Sequence, residues 1–260
     1  MSGVALVGAG LLTGWGPGVA ALPADARAAA AGRAVITVET PRLDGDRFRR
    51  ATRECLLGVA AVDALLTDAG LSREAIEGNG TALLYVTAGA YGASNRAFIE
   101  SAAAGTLHFP YTAASAVPAE VSIEFGLTGR YVILIGGATA TIDALWQAGR
   151  LVSTGVCPRA LVLAVETFTE CADLWRRSRW LLRRPLVEAA ACVLLGPGSG
   201  GLRVGPGEAA AVLERVAARR AGETLACEPL VALALARASR EDWGALTGRW
   251  RGRRAVLVTA

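Results

Sequence analysis

The sequence predicts an α/β fold in which helices cover both faces of a central sheet. Two observations support this prediction. Apolar runs that suit buried strands alternate along the chain with segments whose apolar residues recur at helical spacing. The chain also has 260 residues, 53% of them hydrophobic, so it can bury one substantial core. Alternation of this kind is typical of layered folds in which strands and helices follow one another.

The predicted elements follow one another from the amino-terminal end. An apolar strand over residues 4–16 ends in a glycine-rich exit, and a long helix follows it. Gly70 suits the left-handed cap that ends this helix. The run Tyr131–Ile135 has no polar alternation, as expected of a strand that is buried on both sides. Further strands are predicted at residues 81–89, 160–166 and 255–259, further helices at 138–152, at 208–220 and from Pro229, and a turn or linker at 196–201.

Composition and charge argue against several classes of function. The net charge of +4 is spread along the chain, which argues against a dedicated nucleic-acid surface. The most apolar windows are interrupted by Asp143, Glu166 or Glu188 before they reach the length of a membrane span. The amino-terminal residues also lack the pattern of a signal peptide. We therefore expect a cytoplasmic protein that contacts neither nucleic acid nor membrane.

The cysteines and the single histidine do not have the spacing of a metal site. No Cys-x-x-Cys pair occurs, so we expect a reduced protein with no metal and no cofactor. His108 is the only histidine and precedes Phe109 in a predicted loop, where a structural role is favoured over a catalytic one. Glu188 is expected to be a carboxylate at the edge of the core, paired with an arginine. The five cysteines are Cys55, Cys157, Cys171, Cys192 and Cys227.

The most informative segment consists of a strand, a glycine pair and a helix. Tyr131–Ile135 is followed by Gly136 and Gly137, then by Thr139 and an alanine-rich helix. This pattern resembles the strand–turn–helix of β-ketoacyl synthases, where an Ala-Cys pair stands in place of the two glycines and the cysteine is the nucleophile. Gly137 takes the cysteine position. Glycine has no side-chain atom that could hold an acyl group, so covalent acyl transfer from this position is excluded.

Other segments resemble the same family in the same order. Residues 49–71 resemble the family's A-L-x-D-A-G-L helix, residues 109–129 the segment before G-L-x-G-P, and residues 160–166 the A-L-A-G-G-x-E strand. The resemblance implies a thiolase-like fold of two similar halves, of which the second brings two catalytic histidines. Here the length after residue 200 is too short for a complete second half. We predict a ketoacyl-synthase-like amino-terminal domain over residues 1–200, with layered αβα packing, and a short carboxy-terminal extension over residues 201–260, a partial remnant of the second half, packed on it.

The resemblance also implies a function without catalysis. Chain-length factors, including truncated ones from aryl-polyene-type pathways, are inactive partners of active synthases. We predict such a subunit in polyketide- or fatty-acid-type biosynthesis, in a heterodimer with a full-length β-ketoacyl synthase whose acyl tunnel it shapes. In the family, the strand before the cysteine pairs antiparallel with its counterpart across the dimer. The predicted interface is therefore Tyr131, Val132, Ile133, Leu134 and Ile135.

Two alternatives remain open beside this hypothesis. The first is a stand-alone acyltransferase or hydrolase that uses Cys157 or Cys171 as its nucleophile. The second is a protein that binds an acyl ligand or an acyl carrier protein. A carrier protein is acidic and carries a phosphopantetheine phosphate, both of which suit arginine side chains. The candidate contact is a run of five arginines, for which a solvated helix face is the alternative interpretation: Arg176, Arg177, Arg179, Arg183 and Arg184.

Overall fold

The structure is a computed structural model that describes residues 3–100, 109–168, 184–200, 202–204, 212–240 and 244–259. These residues form a six-stranded sheet with helices on both faces, together with a three-stranded sheet and a two-stranded sheet. The predicted α/β fold is therefore confirmed.

The strands and helices follow the order in which the sequence predicts them, with several short additions. The first part contains β1 (Gly3–Thr13), β2 (Gly16–Pro17), α1 (Ala26–Ala30), β3 (Val35–Ile36), α2 (Arg53–Ala69), β4 (Thr81–Thr87), α3 (Gly92–Glu100), α4 (Ala116–Glu124), β5 (Tyr131–Ile135) and α5 (Ala138–Ser153). The second part contains β6 (Arg159–Glu166), β7 (Leu186–Val187), β8 (Ala189–Gly198), β9 (Leu202–Val204), α6 (Val212–Ala221), α7 (Glu228–Ser239), β10 (Ala245–Trp250) and β11 (Arg253–Thr259). Short 3-10 helices lie at Val19–Ala21, Asp46–Arg50, Arg73–Ala75, Phe109–Thr112 and Leu225–Cys227.

The main sheet has the strand order β2-β1-β8-β6-β4-β5. β4 pairs in parallel with both β5 and β6, whereas β8 pairs antiparallel with β6 and with β1. The carboxyl ends of β4, β5 and β6 therefore lie side by side at one edge of the sheet. The smaller sheets have the orders β10-β11-β9 and β3-β7.

The core lies on both faces of this sheet. Leu84 and Val86 of β4 belong to the cluster that packs against α5 and α7, while Leu83 and Tyr85 belong to the cluster that packs against α2 and α4. Every residue of β4 is buried, as expected of a strand covered on both faces. The helix α2 ends at Gly70, whose φ of 62° is the predicted left-handed cap.

Two sequence predictions are wrong in detail. β5 has the predicted bounds but is not buried on both sides, since Tyr131 is 43% exposed and Ile135 is 55% exposed. The reason is its place at the end of the sheet, where no other described strand pairs with its outer side. The predicted turn at 196–201 begins too early, because β8 continues to Gly198, which pairs with Gly3 of β1.

Candidate functional site

The carboxyl ends of three parallel strands lie beside the glycine pair. The N–H of Gly136 donates to the carbonyl of Thr87 at the end of β4, over 2.9 Å. Gly137 then precedes the 16-residue helix α5. Glu166 ends the neighbouring strand β6. The turn that carries the nucleophile in the resembled family is therefore present here as a glycine pair at the start of a helix.

Trp250 of β10 fills the space beside Gly137. A Cβ atom added to Gly137 would lie 2.3 Å from Cε3 and 2.4 Å from Cδ2 of the Trp250 indole. Two residues earlier on the same strand, a Cβ added to Gly248 would lie 2.5 Å from the carbonyl oxygen of Ala138. β10 therefore lies directly against the first turn of α5. No side chain larger than hydrogen fits at position 137 while Trp250 stays in place.

Glu166 is a buried carboxyl beside the same turn. It accepts hydrogen bonds from the N–H of Ala88 (2.6 Å), the N–H of Gly89 (3.2 Å), the hydroxyl of Thr87 (3.4 Å) and the N–H of Ala226 (3.4 Å). Burial raises the pKa of Glu166 to about 8, although the backbone N–H groups that bind it act in the opposite direction. Its contacts show a structural function, because they connect the end of β4 to the 3-10 helix at Leu225–Cys227.

A second contact holds that 3-10 helix against the core. The hydroxyl of the buried Thr141 on α5 donates to the carbonyl of Ala226 over 2.6 Å. The N–H of Ala226 thus donates to Glu166, and its carbonyl accepts from α5. Trp250 covers Gly137 from β10. The sequence gives no signal for these contacts, because their partners lie far apart along the chain and glycine, alanine and tryptophan form no recognisable motif here.

The thiols of the described cysteines are not activated. Cys55, Cys157, Cys192 and Cys227 are all buried. Burial raises the pKa of Cys55 to about 11 and also raises the pKa of the other three thiols. Since the thiolate is the nucleophilic form, a raised pKa and burial make a thiol inert. Cys157 therefore gives no support to the alternative of a cysteine enzyme. Cys171 and His108 lie outside the described residues.

Along the outer edge of β5, the backbone groups of every second residue have no hydrogen-bond partner among the described residues. The N–H of Leu83 donates to the carbonyl of Arg130 (2.8 Å), and Gly136 donates to Thr87 (2.9 Å). In a parallel ladder, alternate residues of a strand bond to the same neighbour. The even-numbered residues of this segment therefore face β4. The N–H and C=O groups of Tyr131, Ile133 and Ile135 point outward, where no described group binds them.

Glu188 has the predicted arginine partner, but not at the edge of the core. It is fully buried, it forms an ion pair with Arg53, and it accepts hydrogen bonds from the N–H groups of Val38 (3.0 Å) and Phe168 (2.7 Å). Of the arginine run, only Arg184 lies within the described residues, and it is exposed. The other four predicted contact residues, Arg176, Arg177, Arg179 and Arg183, lie outside them.

Within the described ranges, no three His, Cys, Asp or Glu side chains are close enough together to hold a metal ion. None of the described helices combines the length and the apolar character that a membrane crossing requires.

Comparison with known proteins identifies the fold. Residues 23–218 match the family described as beta-ketoacyl synthase, N-terminal domain. The structure titled the ishigamide ketosynthase/chain length factor is similar with a TM-score of 0.69 and 18% identity, over 99% of this chain and 98% of that chain. No curated protein is significantly similar in sequence.

Two further solved structures agree with this result. A chain of AntDE:AntF, a type II PKS acyl-carrier protein in complex with its ketosynthase, has a TM-score of 0.74 and 12% identity, over 100% of this chain and 99% of that chain. A beta-ketoacyl synthase from Burkholderia phymatum STM815 has a TM-score of 0.62 and 14% identity, over 91% and 78%. At these identities the likeness shows the fold, which is thiolase-like.

Proposed function

The chain belongs to the β-ketoacyl synthase family, and from this premise we propose that it is a non-catalytic subunit of the chain-length-factor type. It pairs with a full-length β-ketoacyl synthase and shapes the acyl tunnel of that enzyme, in polyketide- or fatty-acid-type biosynthesis in the cytoplasm. The observation that carries the proposal is an open apolar strand edge, β5, immediately before a glycine in the nucleophile position.

The absence of catalysis rests on the chemistry of position 137. A condensing enzyme captures its acyl group on a thiolate, and Gly137 offers no side-chain atom for this purpose. The indole of Trp250 takes the volume that such a side chain and its acyl group would need. The buried, protonated thiols of the described cysteines offer no substitute.

The partner is inferred from the edge of β5. A strand with outward-facing N–H and C=O groups and apolar side chains is a template for pairing with another strand. Ile133 packs against the core on the α2 side, and Val132 and Leu134 pack on the α5 side. An added strand would therefore continue a sheet that is already covered on both faces. The similarity to the structure titled the ishigamide ketosynthase/chain length factor supports the choice of a ketosynthase as the partner.

The shape of the chain, rather than a reactive group, would then provide its function. We propose that residues 1–200 are the ketoacyl-synthase-like domain and that residues 201–260 are a remnant of the second half, whose described part packs on α5 through β10. The acyl tunnel of the partner would end against apolar side chains near the β5 seam. The arginine run that includes Arg184 stays a proposed contact for an acyl carrier protein.

The test is a pair of arginine substitutions at exposed apolar residues. Ile135→Arg places a charge at the proposed interface along β5. Val212→Arg is the control and places a charge on α6, which packs on α1, α7 and β10. The two side chains are similarly exposed in the isolated chain, at 55% and 53%, so both variants should fold. Each variant is co-expressed with a candidate full-length β-ketoacyl synthase, and the products are separated by size-exclusion chromatography.

We expect Val212→Arg to co-elute with the synthase as wild type does and Ile135→Arg to elute alone. An unpaired charge buried at such a seam should weaken the complex by about 3 kcal/mol or more. Co-elution of both variants would exclude β5 as the interface, and loss of both would show that the assay does not report on this strand.

A further inference from the structure

The hairpin between β10 and β11 concentrates positive charge at its end. Four of the six residues from 249 to 254 are arginines, and none is acidic. We call Arg249, Arg251, Arg253 and Arg254 the arginine tip. This surface is distinct from the arginine run at 176–184, and it lies within the described residues.

Two of the four cations form no ion pair within the part of the chain that the structure describes. Arg249 forms an ion pair with Glu214 over 3.2 Å, and the half-buried Arg254 has interactions within the chain. Arg251 and Arg253 are exposed, and neither forms an ion pair with a described residue. Their guanidinium groups are therefore available to an external anion.

Arg251 occupies a backbone conformation that does not favour arginine. Trp250 pairs with Arg253, so Arg251 and Gly252 form a two-residue hairpin loop. Their φ angles are 48° and 77°, both in the left-handed region. A loop with two such residues normally has Asn-Gly, because a larger side chain is strained there. The turn itself therefore does not require an arginine at position 251.

The arginine tip also has a defined position relative to Gly137. The Arg251 guanidinium lies 5.6 Å from the centre of the Trp250 ring, and Trp250 covers Gly137. The tip lines a cleft together with Leu186, Glu223 and Leu225. Of the described residues that line this cleft, only Glu223 is acidic. The four arginines of the tip therefore line this cleft beside the apolar side chains of Trp250 and the two leucines.

We propose that the arginine tip is a docking surface for the acidic face of an acyl carrier protein. This inference rests on the proposed function, since a condensing complex receives its acyl groups from such a protein. Guanidinium groups bind carboxylates and phosphates through paired hydrogen bonds, which suits a partner that presents both. Two exposed arginines are too few for a nucleic-acid surface, whose affinity depends on many phosphate contacts.

The strain at Arg251 provides a sharp test with a matched control. Arg251→Asn removes one charge and places a residue that tolerates the left-handed region in the turn. Arg240→Asn does the same at the end of α7, where Arg240 has a φ of 55°, is exposed and forms no ion pair with a described residue. Arg240 precedes β10 and Arg251 follows it, so the two substitutions lie near opposite ends of this strand, which rises about 3.4 Å per residue. We expect both variants to melt about 2 °C higher than wild type, because both relieve backbone strain.

Binding of a purified holo acyl carrier protein is then measured by calorimetry, for the free chain and for its complex with the synthase, at low and at physiological ionic strength. Arg251→Asn should weaken binding about fivefold at low ionic strength and less at physiological ionic strength, since salt screens exposed charges. Arg240→Asn should bind as wild type does. Unchanged binding by Arg251→Asn, or an equal loss in Arg240→Asn, would overturn the proposal.

Size-exclusion chromatography of the same variants separates this proposal from the previous one. Docking at the arginine tip predicts that Arg251→Asn still co-elutes with the synthase, because the tip is not part of β5. If neither the wild-type chain nor any variant co-elutes with the synthase, the proposed function is wrong. A loss of carrier binding that is specific to Arg251→Asn would still support the docking surface.

Discussion

The main sheet has two outer edges, and the described residues cover only one of them. At the first edge, the N–H of Ala9 in β1 donates to the Asp68 carboxylate over 3.0 Å, and the carbonyl of Leu6 accepts from Arg237 over 3.4 Å. Asp68 and Arg237 also pair with each other over 2.6 Å. At the second edge, the outward groups of Ile133 and its neighbours in β5 have no such partners among the described residues.

The difference indicates which edge remains available to another chain. Charged side chains over a strand edge are a common protection against unwanted pairing, and β1 has this protection. β5 lacks it and also has apolar side chains at its two exposed ends, Tyr131 and Ile135. The turn that follows β5 is nevertheless covered by Trp250 from the same chain. The described residues therefore cover the position that carries the nucleophile in the resembled family and leave the adjacent strand unpaired on its outer side.

The largest expected effect on stability comes from proline substitutions that test the two hydrogen-bonding edges of β5. Leu134→Pro removes an N–H that points to β4, and we expect it to lower the free energy of unfolding by about 3 kcal/mol or more. Ile133→Pro removes an N–H that points outward, where proline is tolerated on edge strands. Each proline variant is compared by urea unfolding with the alanine variant at the same position, which corrects for the lost side chain.

We expect the difference between proline and alanine to be large at position 134 and below about 1 kcal/mol at position 133. Equal differences at the two positions would mean that the outer side of β5 is not free. The comparison between the two edges of the sheet would then lose its basis.

A smaller effect is expected at the covered turn. Gly137→Cys brings a Cβ atom to 2.3 Å from Trp250, so overpacking should lower the free energy of unfolding by about 1–3 kcal/mol. The control is Gly89→Cys at the end of β4, where a Cβ atom meets nothing within 4 Å. Trp250→Ala in the same chain should recover part of the loss at position 137, and a double-mutant cycle measures this coupling.

We also expect no condensing activity from Gly137→Cys alone, with or without Trp250→Ala. The chain has only one histidine, so the two histidines of the resembled family cannot both be present. Additive effects of the two substitutions on stability would contradict direct packing of the indole on Gly137. Condensation of malonyl units by the purified single variant would contradict the proposal of a non-catalytic subunit.

The sequence predicts the elements of this fold better than their surroundings. The bounds of β5 and the cap at Gly70 were predictable because an unbroken apolar run and a glycine after a helical pattern are local signals. The exposure of the β5 edge was not predictable. The same apolar run is expected in a central strand of a sheet and in an edge strand that another chain covers. The terminal strand begins at Arg253, two residues before its apolar part, because its pairing with β10 includes arginines.

The candidate site divides in the same way. Gly137 was identifiable from the strand–turn–helix pattern around it. Trp250 was not, because its contact with Gly137 depends on how the hairpin of β10 and β11 packs on α5. The arginine tip was also missed, because the hairpin between β10 and β11, which places its four arginines at one turn, was not predicted from the sequence.

The smallest expected effect concerns the covered edge. Asp68→Ala removes the acceptor of the Ala9 N–H and the partner of Arg237, whereas Asp63→Ala, on the same helix, removes only a partner of Arg73. The two aspartates are similarly exposed, at 40% and 38% of their side-chain areas, so the ion pairs should contribute similar and small amounts.

The difference between the variants therefore measures the hydrogen bond at the strand edge. We expect Asp68→Ala to be less stable than Asp63→Ala by about 1 kcal/mol in urea unfolding. The amide of Ala9 should also exchange with solvent faster in Asp68→Ala alone. Equal stabilities and equal exchange rates would mean that Asp68 does not protect β1. The contrast with β5 would then rest on β2 and Arg237 alone.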